Sequence, residues 1–249
     1  MQAAAFLAAA AELPIGDLDA IIGTGGLVVV APHADDESLG CGGLIAEAAA
    51  RGRDVRVVIV SDGCGSHTHS KTYPPDRLRA LRETEAQDAC AILGLPREAL
   101  SFLRLPDAGV PSTGPGAETA AEAIVALARE CGAGALCVTW GHDPHCDHTA
   151  AAAIAAIAHR DLPDVRLYAY PVWGWTLPAY REVGAAPTGF RLDVSAHVEA
   201  KRRAILAHVS QTSDLIADDP TGFRLAPEMI GHFTGRYEIF VALPSESAA

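Results

Sequence analysis

Two short segments of this chain are dense in histidine and carboxylate side chains. The first reads PHADDE over residues 32–37, and the second reads GHDPHCDH over residues 141–148. Consecutive carboxylates are costly to bury alone because like charges repel and burial removes their hydration. A divalent cation would remove that cost, so the two segments together predict a metal site.

Three side chains from these segments are the candidate metal ligands. His33 and Asp36 are three positions apart across a predicted strand-to-helix turn, and His148 begins a predicted helix. Two histidines with one carboxylate leave coordination positions open, which is typical of a catalytic site rather than a structural one. Zn²⁺ suits this set, but Fe²⁺ uses the same ligand types, so the residues alone do not identify the metal.

The same segments contain the groups that hydrolysis at a metal needs. Asp35 is adjacent to the ligand Asp36 and is the candidate general base for metal-bound water. His145 is the candidate partner for the oxyanion of a tetrahedral intermediate, with Asp147 setting its charge state and orientation. Either segment alone is more often an ordinary polar loop, and only their combination predicts catalysis.

The elements that must position these residues alternate between strands and helices. Short β-branched runs predict strands over residues 27–31, 55–60, 100–105, 135–140, 165–170 and 237–243. Longer Ala- and Leu-rich runs predict helices over residues 38–51, 75–93, 117–130, 149–159 and 194–209. This alternation predicts a three-layer α/β fold with a mainly parallel sheet. Both polar segments follow a predicted strand, where ligands bind in such folds.

Composition limits the classes of function and location. Of the 249 residues, 49% are hydrophobic and 20% are charged, and the formal net charge of −12 disfavours a nucleic-acid partner. The six cysteines form no paired motif, which predicts reduced thiols and a cytoplasmic protein. No apolar stretch reaches the roughly 18 residues of a membrane span, and the N-terminus lacks the basic region of a secretory signal.

The organisation predicted from these patterns is a single domain over residues 1–249. Its C-terminal part, from about residue 172, is less regular than the part before it, and the tail 244–249 is predicted to fray. Neither a fixed-period repeat nor a low-complexity linker divides the chain.

At the two polar segments the chain resembles the PIG-L/LmbE-like deacetylase family. PHADDE is similar to the family signature PHPDDE, and DPHCDHTA is similar to the second signature, commonly written HPDH. Other stretches resemble the remaining motifs of the family: SDG at 61–63, RETEA at 82–86, FLRLPD at 102–107 and the K…AHxSQ segment at 201–211. The likeness covers roughly residues 27 to 215.

The resemblance implies a Rossmann-like fold and a zinc-dependent hydrolase that removes N-acetyl groups from glucosamine-containing substrates. It assigns the same metal ligands and catalytic residues as above, and it adds Arg82 and Asp107 as sugar contacts. Zn²⁺ is the implied cofactor, with Fe²⁺ as an alternative in vivo. The family includes trimers and hexamers, so the resemblance is compatible with a homo-oligomer. The chain departs from the family where Ala34 and Cys146 replace proline.

The candidate residues do not identify which bond the enzyme cleaves. A centre that activates water could also hydrolyse another N-acyl amide or an ester, and this is the alternative function. A non-enzymatic metal- or sugar-binding protein is disfavoured, because the complete set of candidate catalytic side chains is present.

Three features outside the two segments allow more than one interpretation. Trp173 follows a predicted strand, and its ring suits either sugar stacking or packing. His208 either fixes a C-terminal helix or belongs to the site. Lys201 is predicted to lie on the solvated face of that helix.

Overall fold

The computed structural model describes residues 1–244, so the predicted frayed tail lies, apart from Pro244, outside the described residues. One sheet runs through this part of the chain. Its strands are β1 (Ile15–Gly16), β2 (Gly26–Ala31), β3 (Val55–Ser61), β4 (Leu100–Leu105), β5 (Ala133–Thr139), β6 (Arg166–Tyr170), β7 (Gly189–Asp193) and β8 (Tyr237–Ala242). They are arranged in the order β1-β7-β8-β6-β5-β2-β3-β4.

Helices connect most of these strands. They are α1 (Ala3–Ala10), α2 (Leu18–Ile22), α3 (Asp36–Ala50), α4 (Pro75–Ile92), α5 (Gly114–Glu130), α6 (Cys146–His159), α7 (Val198–Ala207), α8 (Val209–Thr212) and α9 (Pro227–Phe233). Short 3₁₀ turns cover Arg97–Ala99 and Gly174–Thr176. Within residues 1–244, no helix is both long enough and apolar enough to cross a bilayer.

The prediction of a mainly parallel α/β sheet is confirmed. Strand β2 pairs in parallel with β3 and β5, while β3–β4 and β5–β6 are parallel as well. Antiparallel pairing enters only where β8 joins β6 and β7 among the described strands. Every residue of β2 is buried, as expected for a central strand that helices cover on both faces.

The two largest of three hydrophobic clusters in the described residues lie on opposite faces of the sheet and form the three layers. Successive residues of a strand point to opposite faces. Leu27 and Val29 therefore pack into the core that includes α3, α4 and α7, while Val28 and Val30 pack into the core that includes α5 and α6. The central strand β2 is thus held rigidly on both sides, and the turn that follows it begins from a fixed position.

The C-terminal part of the chain belongs to the same sheet, through β7 and β8. A single domain over the whole chain stays a prediction. The helix predicted over 194–209 is interrupted: α7 ends at Ala207 and α8 begins at Val209, with His208 between them.

The prediction of a solvated Lys201 is wrong. Its side chain is 2% exposed, and Nζ lies 2.6 Å from Oε1 of Glu238 on β8. The Glu238 carboxylate also accepts hydrogen bonds from the backbone N–H groups of Gly43 (2.6 Å) and Leu44 (2.8 Å) in α3. Because α7 packs against α3, this face of the helix meets protein instead of water, and the buried charge is tolerated because it is paired.

Candidate metal centre

The candidate site lies at the carboxyl edge of the sheet, as predicted. The turn after β2 carries His33 and Asp35, the turn after β4 carries Asp107, and the loop after β5 leads to His145 and His148. Strand β2 lies beside β5 and is separated from β4 only by β3. Parallel strands place their carboxyl ends at one edge, so segments more than 100 residues apart in the chain meet there.

The Asp36 carboxylate lies close to both candidate histidine ligands. Asp36 Oδ2 lies 3.2 Å from His33 Nδ1 and 3.3 Å from His148 Nε2. His148 is fully buried, and its Nε2 makes no hydrogen bond. A buried ring nitrogen without a hydrogen-bond partner is costly, and a metal ion would satisfy it. Two imidazole nitrogens and one carboxylate oxygen are donors that Zn²⁺ and Fe²⁺ accept, so the residues fit a divalent cation.

The other ring nitrogen of each candidate histidine ligand faces a carboxylate. His148 Nδ1 lies 3.0 Å from Asp143 Oδ2. His33 Nε2 lies 3.1 Å from Asp147 Oδ2 and 3.2 Å from Asp107 Oδ1. Carboxylates in these positions fix the tautomer and orientation of metal-binding histidines. The arrangement aims His33 Nδ1 and His148 Nε2 at Asp36.

Asp143 is a residue of this centre that sequence reasoning missed. Its Oδ2 contacts His148 and also accepts hydrogen bonds from the backbone N–H groups of Val172 (3.0 Å) and Trp173 (3.1 Å). The signal for it was weak, because an acid four residues after a strand is common in a polar loop. Its contacts join the segment after β6 to the metal centre.

Asp147 makes different contacts from those expected. Its carboxylate does not contact His145; it contacts His33 and accepts hydrogen bonds from the backbone N–H groups of Ala108 (2.7 Å) and Val110 (3.2 Å). The link to His145 is the backbone N–H of Asp147, which donates to Nδ1 at 3.2 Å. Asp147 therefore orients His145 through its main chain and His33 through its side chain.

His145 lies beside the three candidate ligands. One ring nitrogen of each of His33, His145 and His148 lies within 4.8 Å of the others. Because Nδ1 of His145 accepts a hydrogen bond, neutral His145 carries its proton on Nε2. Burial lowers the pKa of His145, and the neighbouring His33 and His148 lower it further, which favours that neutral form.

Asp35 has a strained backbone. Its φ is 141°, a value that residues other than glycine rarely adopt. The backbone N–H of Asp35 donates to Oε2 of Glu37 at 3.0 Å, and its carboxylate lies 3.6 Å from the Arg82 guanidinium. Burial raises the pKa of Asp35 to about 6, against the opposing effect of Arg82. Strain and a shifted pKa at one residue are typical of a functional position.

Glu37 connects Asp35 to the C-terminal part of the chain. Its Oε1 accepts from Ser38 Oγ at 2.7 Å and lies 3.0 Å from His208 Nε2. Glu37 and His208 are both completely buried. His208 therefore contacts the turn that carries Asp35, 171 residues away in the sequence.

A cavity of about 150 Å³ opens above these residues. Arg82 and Asp107, the two predicted sugar contacts, line it. Both are also held by the protein: Arg82 donates to the backbone carbonyls of Gly63 (3.1 Å) and Ala34 (2.8 Å), and Asp107 accepts from the backbone N–H of Gly65 (2.7 Å).

Three larger side chains also line the cavity, and of these only Trp173 was considered as a sugar contact from the sequence. They are Trp173, Gln211 and Phe223. Trp173 faces the cavity at its edge and packs against Phe223, with ring centroids 5.8 Å apart. The chain thus supplies an aromatic wall beside the polar floor that the candidate ligands form.

Sequence comparison finds matches across this region. A family model described as PIG-L, GlcNAc-PI de-N-acetylase, matches residues 28–159, just over half of the chain. The chain is also 29% identical over 255 residues to 1D-myo-inositol 2-acetamido-2-deoxy-alpha-D-glucopyranoside deacetylase from Rhodococcus opacus (strain B4). That alignment covers 82% of this chain and 86% of the relative.

Solved structures share the fold. The N,N'-diacetylchitobiose deacetylase of Pyrococcus horikoshii is similar with a TM-score of 0.64 and 20% identity, over 89% of this chain and 84% of that one. The 4-carboxy-2-hydroxymuconate hydratase of Pseudomonas putida KT2440 is similar with a TM-score of 0.67 and 17% identity, over 91% and 99%. At these identities the likeness establishes the fold, and the fold alone does not decide the reaction.

Proposed function

Because this chain belongs to the PIG-L family, we propose that it is a metal-dependent hydrolase that removes the N-acetyl group from an amino sugar. The observation that carries the proposal is the Asp36 carboxylate within 3.3 Å of both His33 and His148, next in the chain to the buried carboxylate of Asp35. The substrate class is carried over from the Rhodococcus relative, whose name gives a 2-acetamido-2-deoxy-glucopyranoside of inositol as its substrate.

The proposed metal ligands are His33 Nδ1, Asp36 Oδ2 and His148 Nε2, with Zn²⁺ as the metal and Fe²⁺ as the alternative. When bound there, the cation supplies Lewis-acid chemistry, which polarises a carbonyl group and lowers the pKa of water. The unpartnered Nε2 of His148 and the carboxylates behind both histidines support this set. The competing ligand sets are the three-histidine grouping with His145, the grouping of His145, Cys146 and Asp147, and that of His33, Asp107 and Asp147.

Asp35 is the proposed general base. A pKa of about 6 leaves its carboxylate mostly ionised near neutral pH and still able to hold a proton. The attacking water loses its proton to Asp35, and the same proton can pass to the amide nitrogen as the C–N bond breaks. Acetate and the free amine are then the products.

His145 is the proposed partner of the oxyanion. Its Nδ1 already accepts the backbone N–H of Asp147, so the proton on Nε2 is available for donation. A donor held in place before the reaction stabilises negative charge as it develops on the carbonyl oxygen. Asp147 contributes by fixing the ring, and Arg82 and Asp107 are proposed to contact the sugar.

Replacing His145 with alanine is expected to lower kcat by about 10²–10³-fold, because one oxyanion donor is lost. Bound metal should stay at the wild-type level, measured by atomic absorption on the purified protein. His142→Ala, which removes an exposed histidine of the same segment, is the matched control and should keep wild-type kcat. Loss of the metal in His145→Ala would instead make His145 a ligand.

The contact between Glu37 and His208 is proposed to position Asp35. His208→Ala should lower the free energy of unfolding by about 1–3 kcal/mol, because it removes one of the two hydrogen-bond donors to a buried carboxylate oxygen. It should also lower kcat per folded molecule, and His208→Gln, which retains a donor, should recover part of that loss. Denaturant unfolding and kcat are measured on the same samples.

The control for His208 is His159→Ala. His159 is also buried and hydrogen-bonded, with Nε2 2.7 Å from the carbonyl of Val165, but it lies at the far end of α6 from His148. We expect His159→Ala to lose about as much unfolding free energy as His208→Ala, while its kcat stays at the wild-type value. A His208→Ala variant that behaves in the same way would show that His208 has only a structural role.

The proposed function is tested by quantifying acetate and free amine together. The substrates are N-acetylglucosamine, its inositol glycoside and diacetylchitobiose. A glucosamine with a longer N-acyl group and an acetate ester are also assayed, because they test the alternative function. Equal amounts of acetate and amine from any acetamido sugar would support the proposal. Turnover of only the longer amide or the ester would favour the alternative, and the absence of all turnover by metal-loaded enzyme would contradict both.

The setting of the enzyme is also a proposal. All six cysteines are unpaired thiols within residues 1–244, which supports a reducing compartment and hence the cytoplasm. A single catalytic domain is supported by the one sheet that joins both ends of the chain. Self-association rests on the family resemblance and can be checked by light scattering.

A further inference from the structure

Cys146 is the first residue of α6 and stands between His145 and Asp147, two side chains of the candidate centre. Its thiol is exposed, yet Sγ is directed at the centre and donates a hydrogen bond to Asp147 Oδ1 at 3.7 Å. A ring nitrogen of His145, Sγ of Cys146 and a carboxylate oxygen of Asp147 all lie within 4.8 Å of one another. Nitrogen, sulfur and oxygen donors are therefore grouped where solvent reaches one of them.

This set of donors matches the ligands of a thiophilic divalent cation. Zn²⁺ binds Cys sulfur at about 2.3 Å and His nitrogen or carboxylate oxygen at about 2.0–2.2 Å. Donors of a tetrahedral site with those bond lengths are roughly 3–4 Å apart. The distance between Cys146 Sγ and Asp147 Oδ1 already has that value, and the His145 nitrogen needs only a small movement.

The grouping uses different atoms from the ligand set proposed for the catalytic ion. Asp147 divides the two, because Oδ1 faces Cys146 while Oδ2 contacts His33 Nε2 at 3.1 Å, the ring nitrogen that points away from Asp36. The thiol is also specific to this chain, since proline, which the resembling family has at this position, offers no donor atom. An ion held by Cys146 is therefore additional to the first one.

We propose that His145, Cys146 and Asp147 form a second cation site, which binds Zn²⁺ or another thiophilic divalent ion more weakly than the first site does. Burial and the Asp147 carboxylate raise the pKa of Cys146, so its proton passes to solvent as the metal–sulfur bond forms. Asp147 Oδ1 must also be shared with the backbone N–H of Val110, which donates to it at 3.2 Å. Both requirements lower the affinity below that of a site built from prepared ligands.

An ion in this second site would withdraw His145 from the role proposed for it. Nδ1 of His145 accepts the backbone N–H of Asp147. An ion on Nδ1 would break the hydrogen bond that orients the ring, and an ion on Nε2 would replace the proton offered to the oxyanion. We therefore expect kcat to fall as the second site fills. This effect rests on the proposed function, whereas the binding of the ion does not.

The binding test titrates Co²⁺ into protein that already holds one equivalent of Zn²⁺ and records the thiolate-to-cobalt charge-transfer absorption in the near ultraviolet. The ligands proposed for the first site include no sulfur, so cobalt that exchanges into it gives no such band. Wild-type protein should show the band, and Cys146→Ala should not. His145→Ala should retain the thiol but raise the Kd for Co²⁺ about tenfold or more.

The matched control is Cys64→Ala. Cys64 is the one other cysteine of residues 1–244 that is not buried, so it is the thiol most able to bind cobalt adventitiously. Its removal should leave the absorption band and the Kd for Co²⁺ at the wild-type values. A band that is absent from wild-type protein, or that persists in Cys146→Ala, would overturn the site.

The second readout is kcat at free Zn²⁺ concentrations above those that fill the first site. The wild-type kcat should fall by about tenfold or more, because the oxyanion loses its donor, while Cys146→Ala should keep the kcat that it has with one equivalent. An equal fall in both proteins would overturn the link to His145. If no protein releases acetate, the proposed function fails, and the cobalt band still decides the site.

Discussion

Replacing Asp35 with asparagine is expected to lower kcat by about 10²–10⁴-fold while the metal stays bound. Asparagine tolerates positive φ better than most residues do, so the turn at φ 141° and the backbone contact with Glu37 should persist. The substitution then removes the proton acceptor and little else. Activity is measured as acetate release at saturating substrate, and metal content by atomic absorption on the same preparation.

Asp35→Ala and a matched aspartate help to interpret that result. The alanine variant should be at least as inactive, with additional loss of stability from the strained turn. Asp62→Asn changes a partly exposed aspartate at the end of the neighbouring strand β3 and should keep wild-type kcat. An Asp35→Asn enzyme that turns over at the wild-type rate with metal bound would remove Asp35 from the mechanism.

Replacing His148 with alanine is expected to remove the bound metal and, with it, activity by about 10³-fold or more. Its Nε2 is a buried ring nitrogen without a hydrogen bond, and alanine leaves no ligand atom in its place. Metal content and kcat/KM are measured before and after dialysis against a weak chelator.

The control for His148 lies on the same helix. His159→Ala removes the buried histidine at the other end of α6 and should retain stoichiometric zinc and wild-type kcat/KM. If His148→Ala also retains stoichiometric zinc, the ion is held elsewhere, and the pair of His33 and His145 becomes the better candidate.

Long, regular segments explain why most of the fold could be predicted. The five longest helices and six of the eight strands of residues 1–244 lie in continuous Ala- and Leu-rich or β-branched runs, and their predicted boundaries fall within a few residues of the observed ones. Missed elements are short or depend on distant partners. Strand β1 has two residues and exists because β7 pairs with it, and β7 itself is only partly buried.

The candidate site was predictable as a set of side chains but not as a set of contacts. The two polar segments identify the carboxylates and histidines because their clustering is costly without a cation. Sequence spacing could not show that the Asp147 carboxylate contacts His33, because that contact depends on how two distant loops meet. It also could not show that Asp143 lies behind His148, because that contact depends on how the loop between them folds before α6.

Residues from the C-terminal part were the hardest to assign. Lys201 looks solvated until β8 brings Glu238 beside it, and His208 allows two interpretations until its contact with Glu37 is known. Both contacts join segments that are far apart in the chain. Such side chains become informative only when their partners, and the atoms left without partners, are known.

The central claim is that a cation held by His33, Asp36 and His148 enables this chain to hydrolyse the amide of an acetamido sugar. The most direct measurement strips the metal, adds Zn²⁺ back in steps, and follows acetate release and bound zinc together on the best substrate of the panel. Acetate release should rise in proportion to bound zinc, level off near one equivalent, and be absent in His148→Ala at every zinc concentration. Full acetate release by the stripped enzyme, or by zinc-treated His148→Ala, would contradict the claim.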